Sequence, residues 1–493
     1  MGRTRTLLLS ILGLAFAWTA NAALPPGLNQ LANPVSLADT QSIGPFTDLV
    51  ERIAEAEADP RAGMLVGLNR PAVFDLANVE TEVLSNGNTL QRLAIQSPDA
   101  LSTSLHFSAF DLAEGVQLWL YAPGSTEAHG PYTNTHANPI GEFWSPQVIG
   151  DTIVVEVESP AESRSNIQVA HINHGTKAWW QDEDSVQTKA AGSCHVNVAC
   201  STADGHSTKV RATARLIYST LLQSFACSGT LINNSDQDGT PYFLTANHCI
   251  SSNAGAASAT TYWQYQSNSC GSNTPPNINQ TISGATVVST WATNDFTLLR
   301  LSAQPPAVYN PYWSGWDRSG ADLGSGVAIH HPAGDVKKIS LENDPMAIVN
   351  GSANPADATN ALGLYVRVSR WDLGTTEGGS SGSGIWNPSN RLVGALSAGS
   401  ADCNTPNGQD FYGWIGQGWE GGGTAQTRLK DWLAPNNTLI QTLDGCDHHG
   451  ASCSAAGSSN TPIGTVGNDD SGGGGNGAWL LSLVALFWRF RKR

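Results

Sequence analysis

Gly379-Ser380-Ser381-Gly382-Ser383-Gly384 is the stretch on which the reading of this chain turns. A serine flanked by glycines can sit on a tight loop whose backbone N–H groups converge on one point. A carbonyl placed there can be attacked by the hydroxyl while the amides hold the oxyanion. An acyl-transfer serine of this kind wants glycine two residues before it and one after. Ser381 has both, Gly379 and Gly382, whereas Ser380 and Ser383 each fail one condition. Taken alone, the run also fits an ordinary flexible loop.

A second stretch, Phe243-Leu244-Thr245-Ala246-Asn247-His248-Cys249, brings an apolar run up to a His and a Cys. A general base must be held in one orientation beside its serine. A Cys next to the His can be tied back to the preceding strand, and Cys227 in Ala226-Cys227-Ser228-Gly229 is the partner this suggests. A carboxylate is then needed, and Asn294-Asp295-Phe296-Thr297-Leu298-Leu299 offers Asp295 at the head of an apolar strand.

The order His248, Asp295, Ser381 is that of chymotrypsin-like proteases. From about Ala190 to Leu433 the chain resembles the trypsin-like bacterial lysyl endopeptidases, in Cys227–Leu231, Tyr242–Cys249, Asp295–Leu299, Ala328–Pro332, Glu377–Ser383 and Asp410–Gly413. The resemblance implies an all-β fold, a chymotrypsin-like pair of six-stranded β-barrels with the triad in the cleft between them. It implies an oxyanion hole from the backbone N–H groups of Gly379 and Ser381. It also implies the pairings Cys194–Cys403 and Cys200–Cys270 beside Cys227–Cys249; the sequence by itself allows many arrangements. A Cys194–Cys403 bridge could stand in for a buried N-terminal ammonium.

The resemblance extends to specificity. Animal trypsins place an Asp six residues before the nucleophile; Thr375 stands there in this chain. The lysyl endopeptidases use an Asp in a motif matched by Gln409-Asp410-Phe411-Tyr412-Gly413, which makes Asp410 the base of the S1 pocket, facing a substrate ammonium. An exposed loop acid is the alternative. Where a family member carries His, this chain has Ser397, expected to alter fine tuning without touching the triad.

The bulk of the chain fits an exported protein. Of 493 residues, 13% are charged and the formal net charge is −16, which argues against a nucleic-acid partner. Residues 1–22 read as a signal peptide, with Arg3 and Arg5, an apolar run from Leu7 to Trp18, and the small-residue site Ala20-Asn21-Ala22. Eight Cys in such a chain read as disulfides. Residues 23–189 contain no Cys and are mostly strand-like, in Leu105–Phe110, Gly115–Tyr121 and Asp151–Val157, with a helix-compatible stretch over Phe46–Ala58. They suggest a small β-sandwich, which the resemblance makes a removable pro-region; a permanent accessory domain is the alternative. Lys189-Ala190 is the expected cleavage point, because Ala190–Cys194 resembles a mature family N-terminus and a lysine-specific protease could cut after Lys189 itself.

The protease domain is expected over residues 190–435 and a polar linker over 436–470, with Cys446 and Cys453 close enough to bridge. Residues 471–493 hold a glycine run, a short hydrophobic helix and terminal basic residues, resembling a GlyGly-CTERM sorting tail. Such tails imply transient inner-membrane anchoring and removal by a rhomboid-type protease; signal peptidase is the partner expected at the other end. Neither His330-His331 nor His448-His449 has a further ligand at a metal-binding spacing, and structural roles are expected. No metal or cofactor is expected. Protein or peptide substrates and a secreted or cell-surface monomer are. A trypsin-like protease of other preference, or a non-catalytic adhesion protein on a protease scaffold, are the competing readings.

Overall fold

The structure, a computed structural model, describes residues 24–29, 40–58, 63–138, 140–177, 191–271, 276–351, 363–405 and 407–449. The signal-peptide segment, the Lys189-Ala190 bond, Cys453 and the C-terminal tail lie outside them. The described chain is mostly β, with few and short helices.

The N-terminal part is a two-sheet sandwich with a helix over Leu49–Glu57 after its first short strand. One sheet orders Gln41–Ser42, Thr89–Gln96, Thr152–Ser159, Gln117–Tyr121 and His129–Tyr132. The other contains Met64–Asp75, Asn166–Gly175 and Ser102–Asp111. Period-2 side chains fill the space between them: Ile153, Val155 and Val157 from one sheet meet Leu105, Phe107 and Ile172 from the other. The strands expected from Leu105, Gly115 and Asp151 onward all form.

Two barrel-like sheets follow. In the first, Thr213–Ser219 pairs with Gln223–Ile232, which pairs with Tyr242–Thr245, then Phe296–Leu301, then Ala285–Trp291. Thr260–Tyr262 bonds both Thr213–Ser219 and Thr281–Ser283. Gly284 at φ 84° bends the chain from Thr281–Ser283 into Ala285–Trp291, so the ring nearly closes. The second runs Lys338–Glu342, Gly326–His330, Gly384–Trp386, Leu392–Gly399, Asp410–Trp414, Leu364–Val368 and Ala347–Asn350. This is the chymotrypsin-like double barrel.

Three disulfides join Cys194 to Cys403, Cys200 to Cys270 and Cys227 to Cys249. Cys446 is also disulfide-bonded. Among the described residues no helix is long and apolar enough to cross a membrane.

One feature of the topology has no counterpart in the sequence pattern. The sandwich strand Met64–Asp75 pairs antiparallel with Gln223–Ile232, so a sandwich sheet runs on into the first barrel as one twelve-stranded sheet. The two parts belong to the same compact unit.

Candidate active site

The loop around Ser381 is shaped by its glycines. Gly379 has φ 93°, and a Cβ there would come within 2.7 Å of Gly334 N and 2.8 Å of His331 O. Gly382, at φ 79°, would drive a Cβ into Thr245 Oγ1 and to 2.5 Å from Ser228 O. Side chains are excluded at both positions by backbone conformation and by space. The Ser381 carbonyl accepts from Ser228 N–H (2.8 Å), while Gly382 N–H donates to Leu396 O (2.8 Å). Ser380 N–H and Ser383 N–H are likewise satisfied within the loop. Among the described residues, the N–H groups of Gly379 and Ser381 donate to nothing. Two unspent amides beside a serine hydroxyl can hold an oxyanion.

His248 and Asp295 are brought together by the pairing of Tyr242–Thr245 with Phe296–Leu301. His248 N–H donates to Asp295 Oδ1 (2.9 Å), and His248 Nδ1 lies 2.7 Å from Oδ2. A carboxylate accepts only, so Nδ1 carries the proton and Nε2 keeps a lone pair. Asp295 takes the left-handed conformation (φ 52°) and is buried. Burial favours the neutral imidazole, but the Asp295 charge and hydrogen bond outweigh it and leave the His248 pKa above its ordinary value.

Ser381, His248, Asp295 and Gly379 line one cavity of 1620 Å³. No hydrogen bond joins Ser381 Oγ to His248 among the described residues; such contacts commonly close only around substrate. Met64, His106, Glu142, Trp144 and His171 of the sandwich line the same cavity.

Asp410 begins the strand Asp410–Trp414 and is fully buried. Its Oδ2 accepts from Trp371 Nε1 (2.6 Å) and Thr376 Oγ1 (2.8 Å). Its Oδ1 has no partner among the described residues. That oxygen lies directly behind Gly399, a cavity-lining residue where any Cβ would collide with it. Burial pushes the carboxyl up to about 6, against the pull of Trp371, Thr376 and the Ala401 backbone N–H.

Residues 188–413 match the family described as lysyl endopeptidase, C-terminal domain, and residues 48–176 match the lysyl endopeptidase N-terminal domain. The lysyl endopeptidase of Pseudomonas aeruginosa is 29% identical over 417 residues, 78% of this chain and 87% of that protein. The chain is a serine endopeptidase. Its likenesses to solved structures include the active form of the Rv3671c protease from M. tuberculosis, 15% identical with a TM-score of 0.32, covering 48% of this chain and 90% of that one. Another is the serine endoprotease from Yersinia pestis, 15% identical with a TM-score of 0.28, covering 44% and 62%.

Two features of the endopeptidase escaped the sequence reading. Ser397 was expected to leave the triad residues untouched, yet its hydroxyl donates to Asp295 Oδ2 at 2.6 Å. It therefore holds the carboxylate that holds His248. Removing one such bond to a charged acceptor costs about 1.5–3 kcal/mol. Ser397→Ala should accordingly lower the melting temperature by a few degrees and lower kcat/KM by up to roughly 10- to 100-fold. Steady-state rates and a melting curve together check this; unchanged rates would mean the contact does no work in the reaction.

The second is a relay beneath the Ser381 loop. Ser340 Oγ donates to Thr375 O (2.7 Å), so toward His330 Nε2 (3.0 Å) it must accept. Burial holds His330 well below its ordinary pKa, hence neutral, with its one proton on Nε2. His330 Nδ1 must then accept from Ser380 Oγ at 2.8 Å, and Ser380 Oγ accepts from Glu377 N–H at 3.1 Å. Every hydroxyl orientation follows from the last, which fixes the loop just before Ser381. Its neighbour His331 faces the other way, its Nδ1 bonded to Asp335 O (2.9 Å). Glu377 also accepts from Gly192 N–H (3.3 Å) and lies 3.3 Å from His195 Nε2, which ties the segment after the expected cleavage point to the same loop.

Proposed function

We propose that this endopeptidase cuts after lysine by an acyl-enzyme mechanism, and that it is exported as a zymogen whose N-terminal sandwich is removed. His248 Nε2 takes the Ser381 proton as the hydroxyl attacks the peptide carbonyl. Asp295, steadied by Ser397, orients the imidazole and stabilises the imidazolium. Gly379 and Ser381 N–H groups receive the developing oxyanion, each donor being worth about 3 kcal/mol of barrier. His248 returns the proton to the leaving amine, and water then hydrolyses the ester by the same route. No cofactor enters.

The preference for lysine rests on one observation: a fully buried carboxylate whose Oδ1 has no partner and lies behind the cavity wall at Gly399. A buried charge of this kind is costly unless paired, and a P1 ammonium entering past Thr376 and Gly399 would supply the pair. Profiling kcat/KM on peptides that differ only in Lys, Arg or Gln at P1 tests it; equal rates for Lys and Gln would remove Asp410 from the specificity site.

The charge states imply a pH signature. Hydrolysis of any substrate needs neutral His248 and fails as pH drops through its raised pKa. Cleavage after lysine also needs ionised Asp410, which protonates near 6. Below about pH 6 the lysyl profile should therefore fall with a slope of two protons, and a neutral-P1 profile with a slope of one. Parallel profiles would show that Asp410 does not titrate during lysine binding.

Maturation follows from the same chemistry. Sandwich residues line the cavity that contains Ser381, and Lys189-Ala190 offers a bond of the proposed specificity. Ser381→Ala should accumulate as precursor, and so should Lys189→Gln with its active site intact. A trace of the wild-type protein should process the first and not the second. N-terminal sequencing reads the outcome; normal maturation of Ser381→Ala made alone would assign the cut to another protease. We further propose export through the N-terminal signal and transient inner-membrane anchoring by the C-terminal tail before a sorting protease releases it.

A further inference from the structure

Lysine is placed in this chain with a bias. It occurs only at positions 177, 189, 209, 337, 338, 430 and 492. The sandwich, as far as Thr176, therefore contains no bond of the type proposed for this endopeptidase. Lys189 and Lys492 lie outside the described residues; the others have defined surroundings.

The lysines of the catalytic domain are withheld. Lys209, Lys337 and Lys338 are buried, which lysine rarely is. Lys209 stands in the helix Ser207–Ala212, with its Nζ on Asn390 Oδ1 and 3.2 Å from His206 Nδ1. Its carbonyl accepts from Thr213 Oγ1 (3.0 Å). Lys337 Nζ donates to Val210 O (2.8 Å), and its carbonyl accepts from Val198 N–H (3.3 Å). Lys338 opens a strand paired on His330, its Nζ on Asn197 Oδ1 (2.6 Å) and 3.2 Å from Asp335 Oδ2. Burial pulls the Lys337 ammonium down to about 7 and that of Lys209 down to about 8, so hiding these side chains has an energetic cost. Lys430 begins the helix Lys430–Leu433; its Nζ meets Glu420, and its carbonyl accepts from Ala434 N–H (3.0 Å). Arginine is left in the open by comparison: the side chains of Arg52 and Arg370 are 40% and 51% accessible. A protease needs a P1 side chain free to enter its pocket and a run of backbone free to lie extended. None of these four lysines offers both without local unfolding.

Lys177 is different. It lies two residues beyond the strand Asn166–Gly175, and its side chain is 34% accessible. Its Nζ is 3.6 Å from Glu57, an exposed contact that holds little. Among the described residues its own N–H and C=O make no hydrogen bond. The residues before it are held: Thr176 N–H donates to Val66 O (2.9 Å), and Gly175 pairs with Gly67. Val66 and Gly67 belong to the strand that the barrel pins through Gln223–Ile232. Departure of the sandwich removes that partner, and an edge strand without it frays at the end that holds Thr176.

We infer that this endopeptidase spares its own folded domain and the body of the sandwich, and that Lys177 is a second, later processing site. Once the cut after Lys189 has freed the sandwich, cleavage after Lys177 trims residues 178–189 from its end. The step is the hydrolysis already described. The Lys177 carbonyl passes to Ser381 Oγ, the Ala178 nitrogen leaves with a proton from His248, and water releases Lys177 as a free carboxylate. The inference rests on the proposed lysine specificity and deepens it. It names the chain's own sandwich as a substrate at one bond, and the folded catalytic domain as no substrate.

The test uses the full-length Ser381→Ala chain with a trace of matured wild-type protein, and a lysyl peptide as internal control. Intact masses followed over time should show the sandwich ending first at Lys189 and then at Lys177. The catalytic domain should start at Ala190 throughout, with no cut after Lys209, Lys337, Lys338 or Lys430. Lys177→Gln should keep the Ala190 start and leave the sandwich ending at Lys189. The catalytic domain, reduced and carboxymethylated so that it cannot fold, should be cut after its lysines about a thousand-fold faster or more than the native domain, because a folded segment is open for so small a fraction of the time. A sandwich that stays at Lys189 while the lysyl peptide is consumed would overturn the inference and leave the proposed mechanism standing. So would cuts in the native catalytic domain. A lysyl peptide left intact would overturn the proposed specificity, and the inference with it.

Discussion

Ser381→Ala should abolish peptide hydrolysis, lowering kcat by about a million-fold, with the fold intact. The loop around Ser381 is held by backbone bonds and by the Ser380–His330–Ser340 relay, none of which uses the Ser381 hydroxyl. The N–H groups of Gly379 and Ser381 and the binding cleft survive, so a residue of catalysis, roughly thousand-fold over water, should persist. Single-turnover assays on protein matured in trans read the loss, and far-UV circular dichroism reads the fold. Near-normal turnover would mean that another serine is the nucleophile.

Asp410→Asn should bring the next largest loss, confined to one class of substrate. Asn can keep accepting from Trp371 Nε1 and Thr376 Oγ1, and an uncharged group is cheaper to bury. Stability should hold or rise. What disappears is the charge facing a P1 ammonium, an interaction worth about 2–5 kcal/mol when desolvated. Cleavage after lysine should therefore fall by roughly 30- to several-thousand-fold, while cleavage after a neutral residue holds. The pH profiles of the variant should become parallel, because the group that titrates near 6 is gone. Uniform loss on all substrates would mark Asp410 as structural.

The proposed triad, His248, Asp295 and Ser381, was chosen from local patterns, each with a local cause. Gly379 and Gly382 stand where a Cβ would meet backbone, so their spacing favoured Ser381 over Ser380 and Ser383 once the His248 and Asp295 stretches were set beside it. His248 follows an apolar strand and precedes a Cys that returns to Cys227. Ser397 was misread because a serine near the end of an apolar strand carries no signal: its partner Asp295 is 102 residues away. The relay through His330 was half legible. Adjacent histidines on a strand must face opposite ways, but what each meets depends on Ser340 and Ser380 arriving from other strands. The sandwich was recognisable from short apolar runs and alternation in Asp151–Val157 and Leu105–Phe110. Its attachment to the barrel was not, because Met64–Asp75 reads the same whether its edge is free or paired. Only the register with Gln223–Ile232 shows that the edge is shared.

One measurement addresses serine, pocket and orientation together: peptide mapping of the matured protein after reaction with a phosphonate ester carrying a lysine side chain. The nucleophile can attack phosphorus only if the ammonium is seated in the specificity pocket. The expected result is a single phosphonyl adduct on Ser381, formed much faster than with the matched reagent bearing a neutral side chain. An adduct on any other residue, or faster labelling by the neutral reagent, would contradict the account.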